Sequence, residues 1–353
     1  MDFSTAAILA QDGVSTGAVY ALLALATVLV FSVTRVIFIP QGEFVAFGAL
    51  TMAAVQSGKF AATATLLLVL GIVAFLMEFQ GVTRQYRLMG HASGLPKKLA
   101  FAVGKYLVFP LVIFVFAKSL ATASMPMLLQ AALTLAIVVP MGPLLYRVAY
   151  QPLAEASVLV LLIVSVGVHF VLVGVGLVIF GAEGSRTTPF SEAGFQFGVV
   201  TVTGQSAAIV GVSIVLIGAL YLFFEHTLAG KSLRATAVNR IGARLMGIGT
   251  AQAGRLAFTL AAAMGALAGI LIAPLTTVYY DTGFLIGLKG FVGAIIGGLA
   301  SFPMAALGAL LVGLLESYSS FWASAFKEVI VFTLVIPVLL WRSFAGGHSD
   351  AEE

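Results

Sequence analysis

Apolar runs separated by short polar or glycine-rich interruptions fill most of this 353-residue chain. In order they cover residues 5–33, 43–57, 61–77, 100–121, 126–146, 156–180, 206–225, 256–276, 284–300, 303–318 and 327–341. Several approach the roughly 20 residues that carry a helix across a bilayer core. The run 43–57 and those within 284–318 are short and rich in glycine, as re-entrant or half-spanning segments are. Such backbone is tolerated at membrane depth only where protein or a cavity covers it. One long polar stretch interrupts the pattern, Glu225 to Arg255, which holds five of the 18 Lys and Arg and one acid. It is too polar to cross a bilayer and too basic to lie outside the cell, so it is expected to be a cytoplasmic loop.

Charge orients the remaining runs. Arg84, Arg87, Lys97 and Lys98 fall between two runs, Arg147 between the next pair, and Arg342 follows the last. Eleven crossings place these sites and the 226–255 loop on one side, which the positive-inside rule makes the cytoplasm, with the N-terminus outside and the C-terminus inside. The segment 181–205, where Glu183, Arg186 and Glu192 nearly balance, then faces out. Residues 346–353 are polar and are expected to be disordered.

Composition agrees: 61% of residues are hydrophobic and 9% charged, against about 25% charged in soluble domains. The chain is therefore expected to be an all-α polytopic membrane protein with roughly 9–11 transmembrane or re-entrant helices. Its 38 glycines suit close helix approach in a membrane. The net charge of +4 reports loop orientation rather than nucleic-acid binding. There are no cysteines, which excludes disulfides, thiolate chemistry and Cys-based metal sites. Met1-Asp2-Phe3 offers no basic region before the first apolar run, so no cleaved signal peptide is expected. Residues 17–50 and 259–299 echo one another: each is a small-residue helix, a break at Pro40 or around Pro274–Gly283, then a glycine-rich segment. Repeats with interrupted helices recur near substrate paths in transporters.

Few residues offer chemistry. Gly230-Lys231-Ser232 ends like a phosphate-binding loop, but the opening glycine of that pattern would fall at Glu225, and an apolar helix precedes it where a strand is needed. Gly13-Val14-Ser15-Thr16-Gly17 matches Gly-x-Ser-x-Gly without the strand-to-helix turn of a nucleophile elbow. A Ser15–His169 intramembrane serine protease is the reading it would support, and helix packing by small residues is the simpler one. The histidines at 91, 169, 226 and 348 lack metal-ligand spacing, and His169 is expected to pack between helices. Ionisable residues inside apolar runs raise a functional question by default; these are Asp12, Glu43, Lys289 and Glu316. Either they pair with one another, cap helices and snorkel, or Glu43 and Lys289, both at glycine-rich breaks, meet a substrate. The basic stretch also has two readings. It enforces orientation and touches anionic lipid, or it docks a partner through Leu233, Ala237, Ile241 and Leu245, which are spaced four apart as on one helix face.

Three stretches resemble LivH-type permeases of ABC importers, the branched-chain amino acid family. They are GVSTGAVYALLALATVLVFSVTRVIFIPQGEF near the start, GKSLRATAVNRIGARLMGIGTAQAGRLAFTLAAAMGALAGILIAP around the basic stretch, and GLKGFVGAIIGGLASFPMAALGALLVGLLES toward the end; YRVAYQPL fits the family's middle. The resemblance takes in nearly the whole chain except about 58–125, which reads as an insertion of two apolar segments and a basic loop, Arg84 to Lys105, lying on the lipid face or against another subunit. It implies a transmembrane permease domain over 1–345. It also implies two ABC ATPase subunits that bind ATP and Mg, a second permease (LivM-like) or a second copy of this chain, and a periplasmic substrate-binding protein, all at a bacterial inner membrane. This chain would hold no cofactor and catalyse nothing itself. By the same resemblance the coupling surface for the ATPases comprises Arg234, Asn239, Arg240, Leu245, Gly247 and Ile248. The translocation path involves the break at Gln41, Gly42 and Glu43, together with Lys289. At that break the chain departs from the family, reading Ile37-Phe38-Ile39-Pro40-Gln41-Gly42 where members have Asn-Phe-Ala-His-Gly. The substrates implied are leucine, isoleucine and valine or a related small amide or carboxylate.

An ion-coupled secondary transporter is the alternative. The readings separate by mutation. Substituting Arg240 uncouples an ABC permease, neutralising Glu43 cripples a secondary transporter, and Ser15→Ala inactivates a protease.

Overall fold

The first apolar run folds as α1 (Phe3–Thr34), which stops because Arg35 turns into the left-handed region at φ 61° while its N–H still reaches Phe31. After Pro40 the chain resumes as α2 (Gln41–Gln56). Its 16 residues rise about 24 Å, short of the ~30 Å hydrocarbon core, and nearly every one of them is buried in protein. The computed structural model describes residues 2–89, 95–119, 125–197 and 200–345. The tail at 346–353 and His91 lie outside them.

Next come α3 (Thr63–Met89), α4 (Leu95–Val103), a π-helical turn at Gly104–Val108 and α5 (Phe109–Ser119). The basic loop expected from Arg84 to Lys105 is therefore largely helix: α3 runs on past Arg84, and Lys97 belongs to α4. Both spans in the 58–125 stretch turn many apolar side chains outward, among them Val69, Leu76, Val112 and Phe116, as helices facing lipid do. A Glu78–Arg147 ion pair of 2.7 Å ties α3 to the rest.

α6 (Met127–Val138), α7 (Met141–Leu145), a π-turn at Tyr146–Tyr150 and a 3₁₀ turn at Gln151–Leu153 form one apolar length. α8 (Val158–Phe180) follows, capped by Ser157. Within the 181–205 segment, β1 (Gly194–Phe197) and β2 (Val200–Thr203) pair antiparallel, two strands not foreseen from the hydropathy pattern. α9 (Gly204–His226) leads into α10 (Leu228–Val238) and α11 (Arg240–Leu245). Then come α12 (Thr250–Ile272), α13 (Thr282–Ile296), α14 (Phe302–Trp322), α15 (Lys327–Thr333) and α16 (Val335–Ala345). Among the described residues each of the eleven apolar runs is mainly helical, with ends such as 273–276 and 297–300 in turns. Among the described residues eight helical lengths are long and apolar enough to cross a membrane. α14 is one of these, so the run at 303–318 is not a half-span; α13, at 15 residues, remains short.

The centre is built from the two broken helices, α1–α2 and α12–α13, with α14 lying along α1. Their sequence echo corresponds to a shared form: long helix, break, short helix. Glycines set the approach. A Cβ on Gly42 would strike the Gly283 carbonyl, one on Gly283 would strike the Gly42 carbonyl, and one on Gly287 would lie 2.7 Å from the Gly42 Cα. Gly17 and Gly313 meet in the same way between α1 and α14. With lipid outside as apolar as the interior, this close van der Waals packing holds such helices together. An aromatic cluster seats the first break: the Phe38 ring lies 4.7 Å from that of Phe258, which also meets Tyr146 at 5.0 Å and Tyr150 at 5.1 Å. The second break is stapled from the 181–205 segment. Arg186 donates to the Pro274 and Leu275 carbonyls at 2.8 and 3.1 Å, and Gln205 donates to Leu271 at 2.8 Å.

Candidate functional site: a buried helix break and an exposed helical turn

The residues expected along the path are closed into the protein. Gln41 is 2% exposed and donates its amide to the Ala261 carbonyl at 3.0 Å, while its Oε1 has no partner. Gly42 is wedged against α13. Glu43 is fully buried; its Oε1 lies 2.9 Å from His169 Nδ1, and its Oε2 is unpartnered. Thus His169 packs between helices as expected, and does so by meeting the one buried carboxylate of α2. Its ring also stacks 4.7 Å from Phe284 at the start of α13. Buried polar atoms are nearly always satisfied, so two orphaned acceptors in the first turn of a broken helix mark this turn as unusual. A carboxylate in the first turn is favoured by the helix dipole.

Lys289 takes the structural option. Its ammonium meets Glu316 at 2.5 Å and Glu328 at 3.0 Å, and the Tyr20 hydroxyl donates to Glu316 at 2.6 Å. The cluster ties α13 to α14, α15 and α1. Asp12 lies exposed near the start of α1. The Ser15 hydroxyl donates to the Gln11 carbonyl at 3.0 Å and His169 is engaged with Glu43, so the structure does not assemble a Ser–His pair.

The basic stretch is two short helices with α12 already begun at Thr250. Thr227 caps α10, its hydroxyl accepting from the Gly230 N–H at 2.9 Å. A Cβ on Gly230 would strike the Phe223 carbonyl, so the glycine of Gly-Lys-Ser serves a tight helix corner, not a phosphate. Asn239, at φ −146° and ψ 100°, ends α10 and caps α11, its side chain accepting from Gly242 at 2.8 Å. α11 closes in a Schellman turn: Gly247 sits at φ 80°, its N–H bonds Arg244 and the Ile248 N–H bonds Ala243. Asn239, Gly247 and Ile248 therefore shape the element.

The break at Asn239 corrects the expected single stripe. Leu233 is buried and Ala237 partly so, whereas Ile241 and Leu245 turn outward on a different helix. With Val238 and Met246 they are 74–83% exposed. The arginines are held by nearby partners, Arg240 from a half-buried position and Arg234 and Arg244 at the surface. Arg240 donates to the Ala154 carbonyl at 2.9 Å, Arg244 pairs with Glu155 at 2.8 Å, and Arg234 pairs with Glu225 at 2.9 Å. Charges pin the element to the segment before α8, and aliphatic side chains face out. Exposed apolar clusters rimmed by polar groups mark interaction sites. Val238 and Met246 belong to this patch and escaped sequence reasoning because they fall off the four-residue spacing. Ala154 and Glu155 lie about 86 residues away and carried no signal.

The sequence model of the family described as branched-chain amino acid transport system / permease component matches residues 95–339. The high-affinity branched-chain amino acid transport system permease protein LivH of Escherichia coli is 31% identical over 273 residues, 74% of this chain and 86% of its own length. The corresponding protein BraD of Pseudomonas aeruginosa is 28% identical over 271 residues, 74% and 87% of the two chains. A probable branched-chain amino acid transport permease protein of Methanocaldococcus jannaschii is 29% identical over 205 residues, 56% and 65%. No solved structure matches. A helical, multi-pass chain with this match over more than half its length belongs to the branched-chain amino acid transport permease family.

Proposed function

We propose that this chain is the membrane permease subunit of an ATP-driven importer for branched-chain aliphatic amino acids, at a bacterial inner membrane. The observation that carries the coupling part is the outward apolar patch of Val238, Ile241, Leu245 and Met246 on an element fixed from behind by Arg240 and Arg244. An aliphatic knob on a rigid seat suits insertion into a groove of a soluble ATPase. ATP and Mg bind in two such partners, and a periplasmic binding protein delivers substrate.

ATPase closure displaces α11. The pins pass that movement to the 154–155 segment and so to α8, whose His169 holds Glu43. The broken helices α1–α2 and α12–α13 are the parts that open, with Gln41, Gly42 and Glu43 on the wall of the path and Lys289 as the tie behind it. A second permease, like or unlike this chain, supplies the facing wall. Arg240, Asn239, Gly247 and Ile248 position the docking element, and Leu245 touches the partner. Selectivity for an aliphatic side chain needs only a weak apolar passage with a few polar groups for the amino and carboxylate ends.

Affinity purification from mild detergent tests this. ATPase subunits are expected with the wild type and lost from Ile241→Asp/Leu245→Asp; recovery of the chain without any ATPase, or undiminished recovery with the double variant, contradicts it.

A further inference from the structure

A cavity of about 740 Å³ opens between the C-terminal half of α1, the C-terminal half of α9, α10 and the turn into α14. Its wall is chiefly apolar, with Leu25, Leu29, Leu220, Phe224 and Pro303 along it. α9 is scarcely buried and turns Ile214, Val215 and Leu222 outward, an apolar surface of the kind that lipid covers. Two guanidinium groups line the cavity as well, Arg35 and Arg234. Arg35 stands at the left-handed stop of α1, over the Phe31 ring at 5.8 Å, with no acid in ion-pair reach among the described residues. Arg234 is shared with Glu225. Two guanidiniums and one carboxylate leave one net positive charge beside an apolar trough.

A cavity of that make-up recognises an amphipathic anion: one negative charge and a long hydrocarbon tail. A phosphodiester carries a single negative charge and binds guanidinium through paired hydrogen bonds, and basic pockets between transmembrane helices receive such headgroups. We propose that this groove seats one anionic phospholipid, its phosphate between Arg35 and Arg234 and an acyl chain along Leu29, Leu220 and Phe224. The groove meets the outward patch at Val238, which lines its rim, while Ile241 and Leu245 lie beyond it on the next helix. Since α10 forms one wall, a seated lipid also steadies the element that carries α11; that consequence rests on the coupling reading above, whereas the binding does not.

The test uses the intact complex, stripped of lipid in detergent and offered equal amounts of dioleoyl phosphatidylglycerol and dioleoyl phosphatidylcholine, with retained lipid read by native mass spectrometry. One phosphatidylglycerol per copy of this chain is expected. Arg35→Gln and Arg234→Gln are each expected to weaken its retention about fivefold, the effect of one basic residue near anionic lipid. Leu220→Trp, which fills the trough and leaves both arginines, abolishes it. Four results overturn the proposal: equal retention of phosphatidylcholine; monodisperse arginine variants that bind as the wild type; full displacement of the lipid by inorganic phosphate at equal concentration; or retention by the isolated chain but not by the complex, which would make the groove a subunit contact.

Discussion

The break between α1 and α2 and the turn from α10 to α11 handle polar groups in opposite ways. At the break, glycines bring backbones together and ionisable groups are sealed inside, Glu43 against His169 and, beyond it, Lys289 against two carboxylates. At the turn Arg240 reaches back to the Ala154 carbonyl, Arg244 pairs with Glu155 at the surface, and aliphatic side chains face out. The difference follows from the surroundings. Inside a membrane protein a charge must find a partner, and close approach is the main source of cohesion. On a surface a charged side chain can fix an element in place while an apolar one waits for a partner.

Substitutions should therefore divide cleanly between stability and coupling. The largest effect is expected from Gly42→Leu. The new side chain meets the Gly283 backbone, which cannot yield, and the variant should give no monodisperse protein on size-exclusion chromatography. Lys289→Met comes next, leaving Glu316 and Glu328 partly buried without their cation. Removing one partner of a buried pair costs about 3–5 kcal/mol, readable in a mixed-micelle unfolding titration. An unchanged midpoint would mean that the cluster is solvated.

Gly247→Val is expected to cost about 1–2 kcal/mol, since a β-branched residue is forced to positive φ. The loss should be local, read as faster amide exchange over α11 with the global midpoint held. Leu245→Asp is the smallest in stability, within about 0.5 kcal/mol as for an exposed site, yet it should abolish substrate-stimulated ATP hydrolysis by the complex. If Leu245→Asp instead unfolds the chain, the patch is part of the core and the contrast fails.

Much of this was legible in the sequence. The described part of each apolar run is mainly helical, in one helix or in consecutive ones, because hydropathy over some 20 residues is the property a bilayer selects. The break before Gly42 was visible in Pro40 and the glycines, and a separate polar element between α9 and α12 in the cluster of basic residues. Direction was not legible. Arg240 and Arg244 stand out by charge, and charge suggested an outward surface; their partners Ala154 and Glu155 are distant in sequence. The four-residue spacing from Leu233 to Leu245 suggested one stripe, although Asn239 in its midst is a good N-cap and signals two helices. Glu43 announced itself as a buried acid, but nothing local pointed to His169, 126 residues away. The imidazole beside Glu43 comes from α8, not from the break itself.

The chain has no cysteine, so a single introduced thiol is its own only one, and the complex with the unmodified chain gives the background. The most direct test compares Leu245→Cys with Arg240→Cys in the assembled complex, using a short thiol-to-amine cross-linker toward the ATPase subunits. Strong cross-linking from position 245, modulated by ATP, and little from position 240 is the predicted result. Cross-linking from position 240 with none from position 245 would show that the arginine face docks the partner, and would contradict the assignment of α11.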